Sequence, residues 1–555
     1  SVETYRYVQE FLEVPAAFVC GLLENPNGPW RFGPNFRVKQ HVVEPMKRLH
    51  ESKDIKLEPY FNCRQWYAGP DADKENNYTT EGKPNAVLDE NGNVRTGNYG
   101  ATGLHAVMCP AAPAWRQHLY GNIEYLASQG VDAVYHDQLP CSTPFACEAE
   151  NHGHAPGAAD CWLAQGHWLT YGRVMSELRA KYPNLAHTGE DASDAFLRCL
   201  DGFMTWRFGR TGHVPLFQSV YAPRVQFVGR GGDGNNISGT YESFFPRIGE
   251  QLVYGEQIGW LALDDIRVPS PRRNYLKKLA NLRYALAGYL NSAEMAKPLK
   301  FAKSLPTMTT VWGVDDTNNC TTDRILHSVW QHKDGSRLVI FLNTTETAEE
   351  AEPLLDGQGQ LVTVFREGEE AFLVQADIPP AVRLEPYACE IWLLGAAPSD
   401  GFTPALMAAV RKGREIMNGG DRGLMIPSKT DFTKDTMLNA IRDELFARDA
   451  SWVLFANRTD NPTLDYHPNP LRKMNANWIA AQDGGIIYFG GVYFGDSATE
   501  LTCTAATDCE GVTIEMLDNT ANSPTFLLAE FKLERGGWHE YKSYTTPLLR
   551  HITGR

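Results

Sequence analysis

The sequence predicts an α/β protein, a (β/α)8 TIM-type barrel followed by an antiparallel β domain and a C-terminal β-sandwich of the jelly-roll type. Up to about residue 300, strand-length apolar runs alternate with helix-period segments, which is typical of a parallel sheet with crossover helices. Eight such runs in about 270 residues suit a TIM barrel. After residue 300, short strands separated by turn residues follow one another without helices, which indicates antiparallel sheets.

The barrel strands are predicted from short apolar runs that end in polar residues, with predicted helices between several of them. Two of these helices end at recognisable stop signals, Gln129-Gly130 and Tyr182-Pro183. No glycine-rich phosphate-binding motif opens a helix, which argues against the rival doubly wound nucleotide-binding sheet. A first strand and helix are hard to place before residue 16, so the barrel start looks incomplete, or its closure atypical. The predicted strands are AAFVCGLL, IKLEPYFNC, HAVMC, VDAVYHD, LAHTGED, GFMTWRF, VPLFQSVY and IGWLALDD.

Composition shifts divide the 555 residues into predicted domains. The barrel occupies 1–299 and the antiparallel β domain 300–396. A linker, GAAPSDGFTP, and a helix fill 397–424. The β-sandwich then takes 425–555.

Charge and hydropathy exclude some classes of partner. Lys and Arg total 52 and Asp and Glu 67, a net charge of −15, whereas nucleic-acid binding requires a basic surface. No apolar run reaches the roughly 18 residues of a membrane span. The N-terminal residues do not have the pattern of a signal peptide. We therefore expect neither a nucleic-acid nor a membrane partner.

Two carboxylates stand at the ends of predicted strands. Asp137 ends VDAVYHD and Glu190 lies at the end of LAHTGED. The active site of a TIM barrel lies at the carboxyl ends of its strands, and glycoside hydrolysis uses a carboxylate pair. Both carboxylates could instead have structural roles. Asp137 could cap the loop or helix that follows it, and Glu190 and Asp191 could form a capping box at the start of the next helix.

The segment between the two carboxylates, residues 141–161, is rich in cysteine and histidine. It contains Cys141, Cys147, Cys161, His152 and His154. Their spacing matches no standard zinc pattern, so a metal, a disulfide and histidines facing the substrate pocket all stay open. We expect the segment to fold over the barrel mouth and to hold no metal.

Further polar or aromatic residues near strand ends are candidates for substrate binding. Trp66 is also a candidate for stacking on a sugar, although aromatic residues at such positions more often belong to the core. Asp264 is a reserve carboxylate beside Asp265. The predicted substrate-binding residues are Asn62, Arg64, His105, His136, His152, His154, Trp206, Arg207 and Asp265.

The ordered motifs VYHDQLPC, HGH, TGED, LDGFM, VPLFQSVY and IGW resemble the glycoside-hydrolase-like barrels grouped as domain-of-unknown-function family 6259. The resemblance covers about residues 15–300 and implies a relative of retaining α-glycosidases. It assigns Asp137 as nucleophile and Glu190 as acid/base. The family usually carries a β-sandwich before the barrel, which this sequence lacks. From about residue 475, the order of GGVYFGD, IEMLD and GGW resembles a family-6 carbohydrate-binding module, in which Trp538 is expected to be a packing residue.

The sequence therefore predicts a retaining glycoside hydrolase acting on an α-linked glycan or oligosaccharide, without a cofactor. One alternative is a non-catalytic carbohydrate-binding protein on the same barrel. Another is a metal-dependent hydrolase that uses the Cys/His segment. A binding module favours an extracellular or periplasmic location.

Overall fold

In the computed structural model, most of the first 420 residues and parts of the C-terminal region are placed. The described residues are 8–9, 11–20, 34, 51, 55–99, 103–205, 211–229, 241–259, 270–312, 318–355, 360–369, 372–376, 381–420, 452–454, 486–488, 499–518, 526–537 and 540–549.

A six-stranded parallel sheet forms the framework of the N-terminal half. Its strands lie in sequential order, each hydrogen-bonded to the next along the chain. A doubly wound sheet reverses its strand order at a switch point, so this order argues for a singly wound, barrel-like sheet. A parallel bridge from Val228 to Gln257 continues the sheet. The strands are β1 (Ala16–Cys20), β2 (Ile55–Asn62), β3 (Ala133–Asp137), β4 (Ala186–Gly189), β5 (Gly202–Met204) and β6 (Gln226–Val228).

Two predicted barrel strands are wrong. Residues Leu104–Val107, from HAVMC, pair antiparallel in a separate three-stranded sheet with Gln65–Tyr67 and Thr96–Asn98. The run VPLFQSVY contains a helix, Leu216–Tyr221, and the strand is β6 instead.

Helical spacing explains why VPLFQSVY is not a strand. Phe217 and Tyr221, four residues apart, have ring centroids 4.6 Å from each other. Phe217 also packs on Phe203 of β5 at 5.7 Å. Leu216 and Val220 on the other face are 66% and 53% exposed. The run therefore has the one-sided burial of a helix rather than the alternation of a strand.

Crossover helices cover the sheet. Helix α1 (Pro113–Ser128) buries Trp115, Leu119, Ile123 and Leu126, whose spacing of three and four residues makes one apolar face. It begins with Pro113, and Gly130, at φ +79°, follows its last turn in the left-handed conformation that stops a helix. Continuous helical turns over 163–181 include α2 (Trp168–Arg173). This layer and the outer face of the sheet form the first hydrophobic core.

A second core joins helices to an antiparallel sheet. Helices α3 (Phe244–Val253) and α4 (Pro271–Ala285) pack against one face of six strands in the order β7-β8-β9-β12-β10-β11. The opposite face holds a third core, which includes Val339, Phe341 and Trp392. The strands are β7 (Glu294–Ala296), β8 (Ile325–Gln331), β9 (Arg337–Asn343), β10 (Gln360–Arg366), β11 (Phe372–Ala376) and β12 (Cys389–Leu394).

Helix α5 (Phe402–Glu415) belongs to this second core rather than to an open linker. It buries Phe402, Leu406 and Val410 there. The N-terminal segment joins the same core through Val8 and Phe11. Glu13 bridges the helices, because its Oε1 lies 3.0 Å from Lys277 Nζ of α4 and its Oε2 contacts Lys412 of α5.

The described residues from 499 onward contain two antiparallel pairs around a small core of Ala529, Phe531 and Leu533. Their strands are Glu500–Ala505 with Lys542–Pro547, and Thr513–Asp518 with Phe526–Lys532. The predicted jelly roll stays a prediction, because these pairs do not establish its strand order. Trp538 lies outside the described residues.

The remaining elements are short. Within the described residues, no helix has the length and hydropathy needed to cross a bilayer. The remaining strand pairs are Lys300–Phe301 with Pro353–Leu354, Thr307–Trp312 with Asn318–Asp323, Glu349–Ala351 with Val382–Leu384, and Trp452–Leu454 with Ile486–Tyr488. The remaining helical turns are Ala72–Asn76, Tyr78–Gly82, Lys83–Asn85, Ala159–Cys161, Asp194–Phe196, Tyr241–Ser243, Ala287–Leu290 and Ile416–Gly420.

Candidate active site

Polar side chains line one face of the parallel sheet near its carboxyl end. Tyr60 of β2 is in register with Tyr135 of β3, and Asn62 with Asp137. Alternate residues of a strand share a face, so Tyr60 and Asn62 project to the same side. A hydrogen bond from Thr188 of β4 to Glu58 of β2 extends this polar face across three strands. The outer face of the same strands is apolar and packs under the helices.

Asp137 is held by donors from the neighbouring strand. The Tyr60 hydroxyl and the Asn62 amide both donate to Asp137 Oδ2, the latter at 2.8 Å. The Asn62 Oδ1 atom accepts the backbone N–H groups of Arg64 and Gln65 at 3.0 and 2.9 Å. Asn62, predicted to bind substrate, therefore fixes both the carboxylate and the turn that follows β2.

Glu190 meets the loop that follows Asp137. Its Oε2 accepts the Gln138 N–H at 3.3 Å and the Cys141 thiol at 2.9 Å. The next helical turn, Asp194–Phe196, has no side-chain cap. The capping-box alternative for Glu190 is therefore wrong.

The two carboxyl groups interact directly. Asp137 and Glu190 are only 8% and 7% exposed. Burial, followed by the charge of Glu190 and a hydrogen bond with it, raises the pKa of Asp137 well above its usual range. Two buried carboxyl groups in such contact resist double ionisation, so a state with one proton on the pair is favoured.

The residue after each carboxylate has a left-handed backbone. Gln138 and Asp191 both have φ of +58°, a conformation that costs a non-glycine residue about 1 kcal/mol or more. At Gln138, the side chain is fixed by Gln65, whose Nε2 donates to Gln138 Oε1 at 2.9 Å and to the Tyr99 hydroxyl at 2.7 Å. Such strain clusters at functional sites, where the surrounding structure holds it in place.

His136 points away from the carboxylates, so its expected contact with substrate is not supported. Its Nε2 lies 3.0 Å from His187 Nδ1, and its Nδ1 lies 2.8 Å from the Tyr171 hydroxyl of α2. It is fully buried between the sheet and the helix layer. Burial lowers the pKa of His136 well below its usual range and that of His187 to about 4. Both imidazoles are therefore neutral structural groups.

Arg64 lies beside the loop that contains Cys141. Its guanidinium lies 5.1 Å from the ring centre of Phe145 and 5.2 Å from that of Trp162. Burial lowers its pKa, while the nearby Tyr99 and Cys141 side chains act in the opposite direction. Arg64 is thus close to the Cys141–Glu190 contact, and its predicted role in substrate binding stays a prediction.

His105 stands one layer further from the carboxylates, in the three-stranded sheet. Its Nδ1 lies 3.0 Å from the Gly103 carbonyl oxygen, and its ring packs edge-on against Tyr67 and Tyr99. His105 is completely buried. Its ring supports Tyr99, whose hydroxyl accepts from Gln65.

His152 and His154 meet cysteines instead of the carboxylates. Each lies 3.4 Å from a sulfur, His152 Nδ1 from Cys147 and His154 Nε2 from Cys109. Cys141, grouped with them from the sequence, bonds to Glu190 instead. The described cysteines are free thiols. Of the alternatives left open by the sequence, a disulfide is therefore absent among these described cysteines.

Four candidates from the sequence lie outside the described residues, Trp206, Arg207, Asp264 and Asp265. Trp66 is a core residue, packed on Trp115 and His118.

Sequence reasoning missed Tyr60, Gln65 and Cys109 as parts of these sites, and it grouped Cys141 with the histidines rather than with Glu190. Tyr60 was detectable, because it precedes Asn62 by two and must share its face. Cys109 is the last residue of the misassigned run HAVMC, and no local pattern links it to residues 147–154.

Comparison with known proteins agrees with the family resemblance. Residues 34–231 match the family described as a domain of unknown function, DUF6259. A candidate glycoside hydrolase of Bacteroides thetaiotaomicron is 26% identical over 319 residues, 56% of this chain and 45% of that protein. A second, from Monosiga brevicollis, is 25% identical over 178 residues, 30% of this chain and 14% of that protein. This chain spans less than half the length of either relative.

Two solved glycosidase structures are among those that superpose on this chain. The α-amylase of Geobacillus thermoleovorans, complexed with acarbose, superposes with a TM-score of 0.45 and 13% identity, covering 71% of this chain and 91% of that one. A family-36 α-galactosidase of Geobacillus stearothermophilus gives a TM-score of 0.45 and 10% identity, covering 71% and 53%.

Proposed function

We propose that this protein is a retaining glycoside hydrolase acting on an α-linked glycan or oligosaccharide. The observation that carries the proposal is the contact between Asp137 and Glu190 at the carboxyl ends of adjacent parallel strands. A buried carboxyl pair sharing one proton supplies the anion and the acid that glycoside hydrolysis requires. The similarity to candidate glycoside hydrolases supports the same chemistry.

We assign the anion to Asp137 and the proton to Glu190 when substrate is bound. The donors Tyr60 and Asn62 both point at Asp137 Oδ2, and hydrogen bonds to a carboxylate favour its charged form. Glu190 Oε2 accepts the Cys141 thiol and the Gln138 backbone N–H. Once substrate separates the two carboxyl groups, the donors on Asp137 favour its ionised form, and the mechanism places the proton on Glu190.

The reaction then proceeds in two displacements. Asp137 attacks the anomeric carbon while the glycosidic C–O bond breaks, and Glu190 gives its proton to the leaving oxygen. The negative charge of Asp137 is lost in the covalent ester, so Glu190 is more stable as an anion. It then takes a proton from water, which attacks the anomeric carbon and releases Asp137.

Substrate must separate the two carboxyl groups. In retaining enzymes they stand about 5–5.5 Å apart, and in inverting enzymes about 6.5–9.5 Å. The hydrogen bond between Asp137 and Glu190 holds their carboxyl groups closer together than in either class of enzyme. The two groups must move apart less to reach the retaining distance than to reach the inverting one. We infer that the sugar enters between them and breaks their hydrogen bond.

Substitution of each carboxylate tests the proposal. With aryl α-glycosides, Asp137→Asn should abolish turnover, because no covalent ester forms. Glu190→Gln should retain the first step for an activated leaving group, and azide should restore turnover by replacing water. Asp132→Asn, at the other end of β3, serves as the matched control and should stay active. Full activity of Asp137→Asn, with β-glycosides included in the screen, would exclude the proposed nucleophile.

We extend the proposal to the parts of the chain that the described residues do not complete. The sheet is inferred to continue beyond its six described strands and to close as a (β/α)8-type barrel. The domain limits are those predicted from the sequence, with 425–555 as a carbohydrate-binding sandwich. An extracellular or periplasmic location follows from that module.

A further inference from the structure

A second cluster of reactive side chains meets where the segment 141–161 contacts the three-stranded sheet. Sulfur or nitrogen atoms of Cys109, Cys147, His152 and His154 all lie within 4.8 Å of one another. The first three residues are buried and His154 is half-buried. They come from two separate stretches of chain, residue 109 and residues 147–154, so the convergence is tertiary.

We propose that Cys109, Cys147, His152 and His154 bind one zinc ion. A tetrahedral zinc has Zn–S of about 2.3 Å and Zn–N of about 2.0–2.1 Å, which places neighbouring sulfur and nitrogen ligands about 3.5–3.6 Å apart. The two measured sulfur–nitrogen distances are both 3.4 Å. These two cysteine–histidine pairs therefore already stand close to the spacing that the ion would impose, and all four ligand atoms lie within 4.8 Å of one another.

Backbone carbonyls orient both imidazoles for this role. His152 Nε2 lies 2.7 Å from the Pro84 carbonyl oxygen, and His154 Nδ1 lies 2.8 Å from that of Ala155. A carbonyl oxygen only accepts, so these ring nitrogens carry the protons. The opposite nitrogens, which face the cysteines, are left with free lone pairs. Metal-bound histidines in proteins are typically held in this way.

The local backbone also suits the convergence. Gly153, between the histidines, has φ of +79°, which lets the chain turn so that both rings face the same point. The Leu88 N–H approaches Cys147 Sγ at 3.5 Å, a contact that favours thiolate. Two thiolates and two neutral imidazoles would balance the charge of Zn²⁺.

The donor set indicates a structural rather than a catalytic ion. Catalytic zinc keeps a position open for water or substrate, whereas four protein ligands close the site. The ion would tie residues 147–154 to residue 109. It would thereby anchor the loop whose Cys141 contacts Glu190. This conclusion also argues against the metal-dependent hydrolase alternative.

Cys161 provides an internal check on the ligand set. Its side chain is hydrogen-bonded to Cys109, yet its sulfur is not among the four convergent ligand atoms. A Cys161→Ser variant should keep the metal. Loss of metal from this variant together with its retention in His154→Ala would overturn the assigned ligands.

Metal content of the whole chain tests the proposal without reference to activity. Protein purified without chelator and supplied with zinc should contain one zinc per chain by inductively coupled plasma mass spectrometry. Cobalt in its place should give the visible absorption of a tetrahedral thiolate site. Cys109→Ser and Cys147→Ser should lose the metal, while Cys199→Ser, which alters another buried thiol, should retain it.

If the serine variants do not fold, an experiment on the wild-type protein still tests whether cysteines bind the zinc. Modification of its thiols with a mercurial should release zinc in proportion to the number of thiols modified. A metallochromic dye would measure the released zinc. A zinc-free protein under these conditions, or a disulfide between Cys109 and Cys147, would overturn the proposal. Because these readouts do not involve glycoside cleavage, they can fail without touching the proposed function.

Discussion

Removing the Tyr60 hydroxyl tests how the carboxylate pair is tuned. Tyr60 and Asn62 both donate to Asp137 Oδ2, and Tyr60→Phe removes one donor while keeping the ring. A hydrogen bond to a charged group contributes about 1.5–3 kcal/mol. If it stabilises the attacking carboxylate, kcat/KM should fall by about 10- to 150-fold, since 1.36 kcal/mol corresponds to a factor of ten.

The same change should move the acid limb of the pH profile in a defined direction. The hydroxyl favours ionised Asp137, so its loss raises the pKa of Asp137 beyond the elevation that burial and Glu190 already cause. The acid limb of kcat/KM should therefore shift to higher pH, by about one to two units for the free energies above. An activated aryl α-glycoside assayed from pH 4 to 9 would report both effects.

Tyr120→Phe is the matched control, because the Tyr120 hydroxyl bonds to Glu177 on the helix surface. It should leave the rate and the profile unchanged. A Tyr60→Phe enzyme with wild-type kcat/KM and an unmoved acid limb would refute the assignment of Asp137 as the ionised nucleophile.

Two further predictions concern stability. Burial lowers the pKa of His187 to about 4, so the unfolded state binds a proton more readily. Above pH 7 His187 therefore does not change the free energy of unfolding. Between pH 7 and pH 4, protonation of His187 in the unfolded state should lower the free energy of unfolding by about 3 kcal/mol. Urea unfolding across that range should show a shallower pH dependence in His187→Gln, and an unchanged slope would contradict the argument. Leu406→Ala in α5 should cost about 2–5 kcal/mol, because its side chain is fully buried. Urea unfolding would measure this loss. The control variant Glu415→Ala, at an exposed position of α5, should have nearly the wild-type free energy of unfolding. A Leu406→Ala variant as stable as wild type would mean that α5 contributes little to the core.

The sequence predicted much of the parallel sheet because its strands are short apolar runs with polar ends. It misplaced VPLFQSVY, since in a short apolar run the strand and helix periods are hard to distinguish. Exposure of Leu216 and Val220 distinguishes them only in three dimensions. The antiparallel strands were easier, because turn residues bound each of them.

The roles of the site residues were less predictable than their positions. Strand-end logic located Asp137 and Glu190, and it placed His136 beside them. Adjacent residues of a strand face opposite sides, so His136 necessarily leaves the face that carries Asp137. The partner of His154, Cys109, lies 45 residues away. Such a contact depends on how the three-stranded sheet folds back, which no local pattern encodes.

The ion pairs of Glu13 have a consequence for synthesis on the ribosome. Glu13 and Lys412 are 399 residues apart, and the Leu12 carbonyl also accepts from Asn281, 269 residues later. At about 5–20 residues per second, roughly 20–80 seconds separate translation of Glu13 from that of Lys412. Until α4 and then α5 have been translated, the apolar side chains of Val8 and Phe11 lack the partners that complete their core. The nascent chain therefore carries an incompletely buried hydrophobic segment over several hundred residues of synthesis, which is the kind of segment that a chaperone binds.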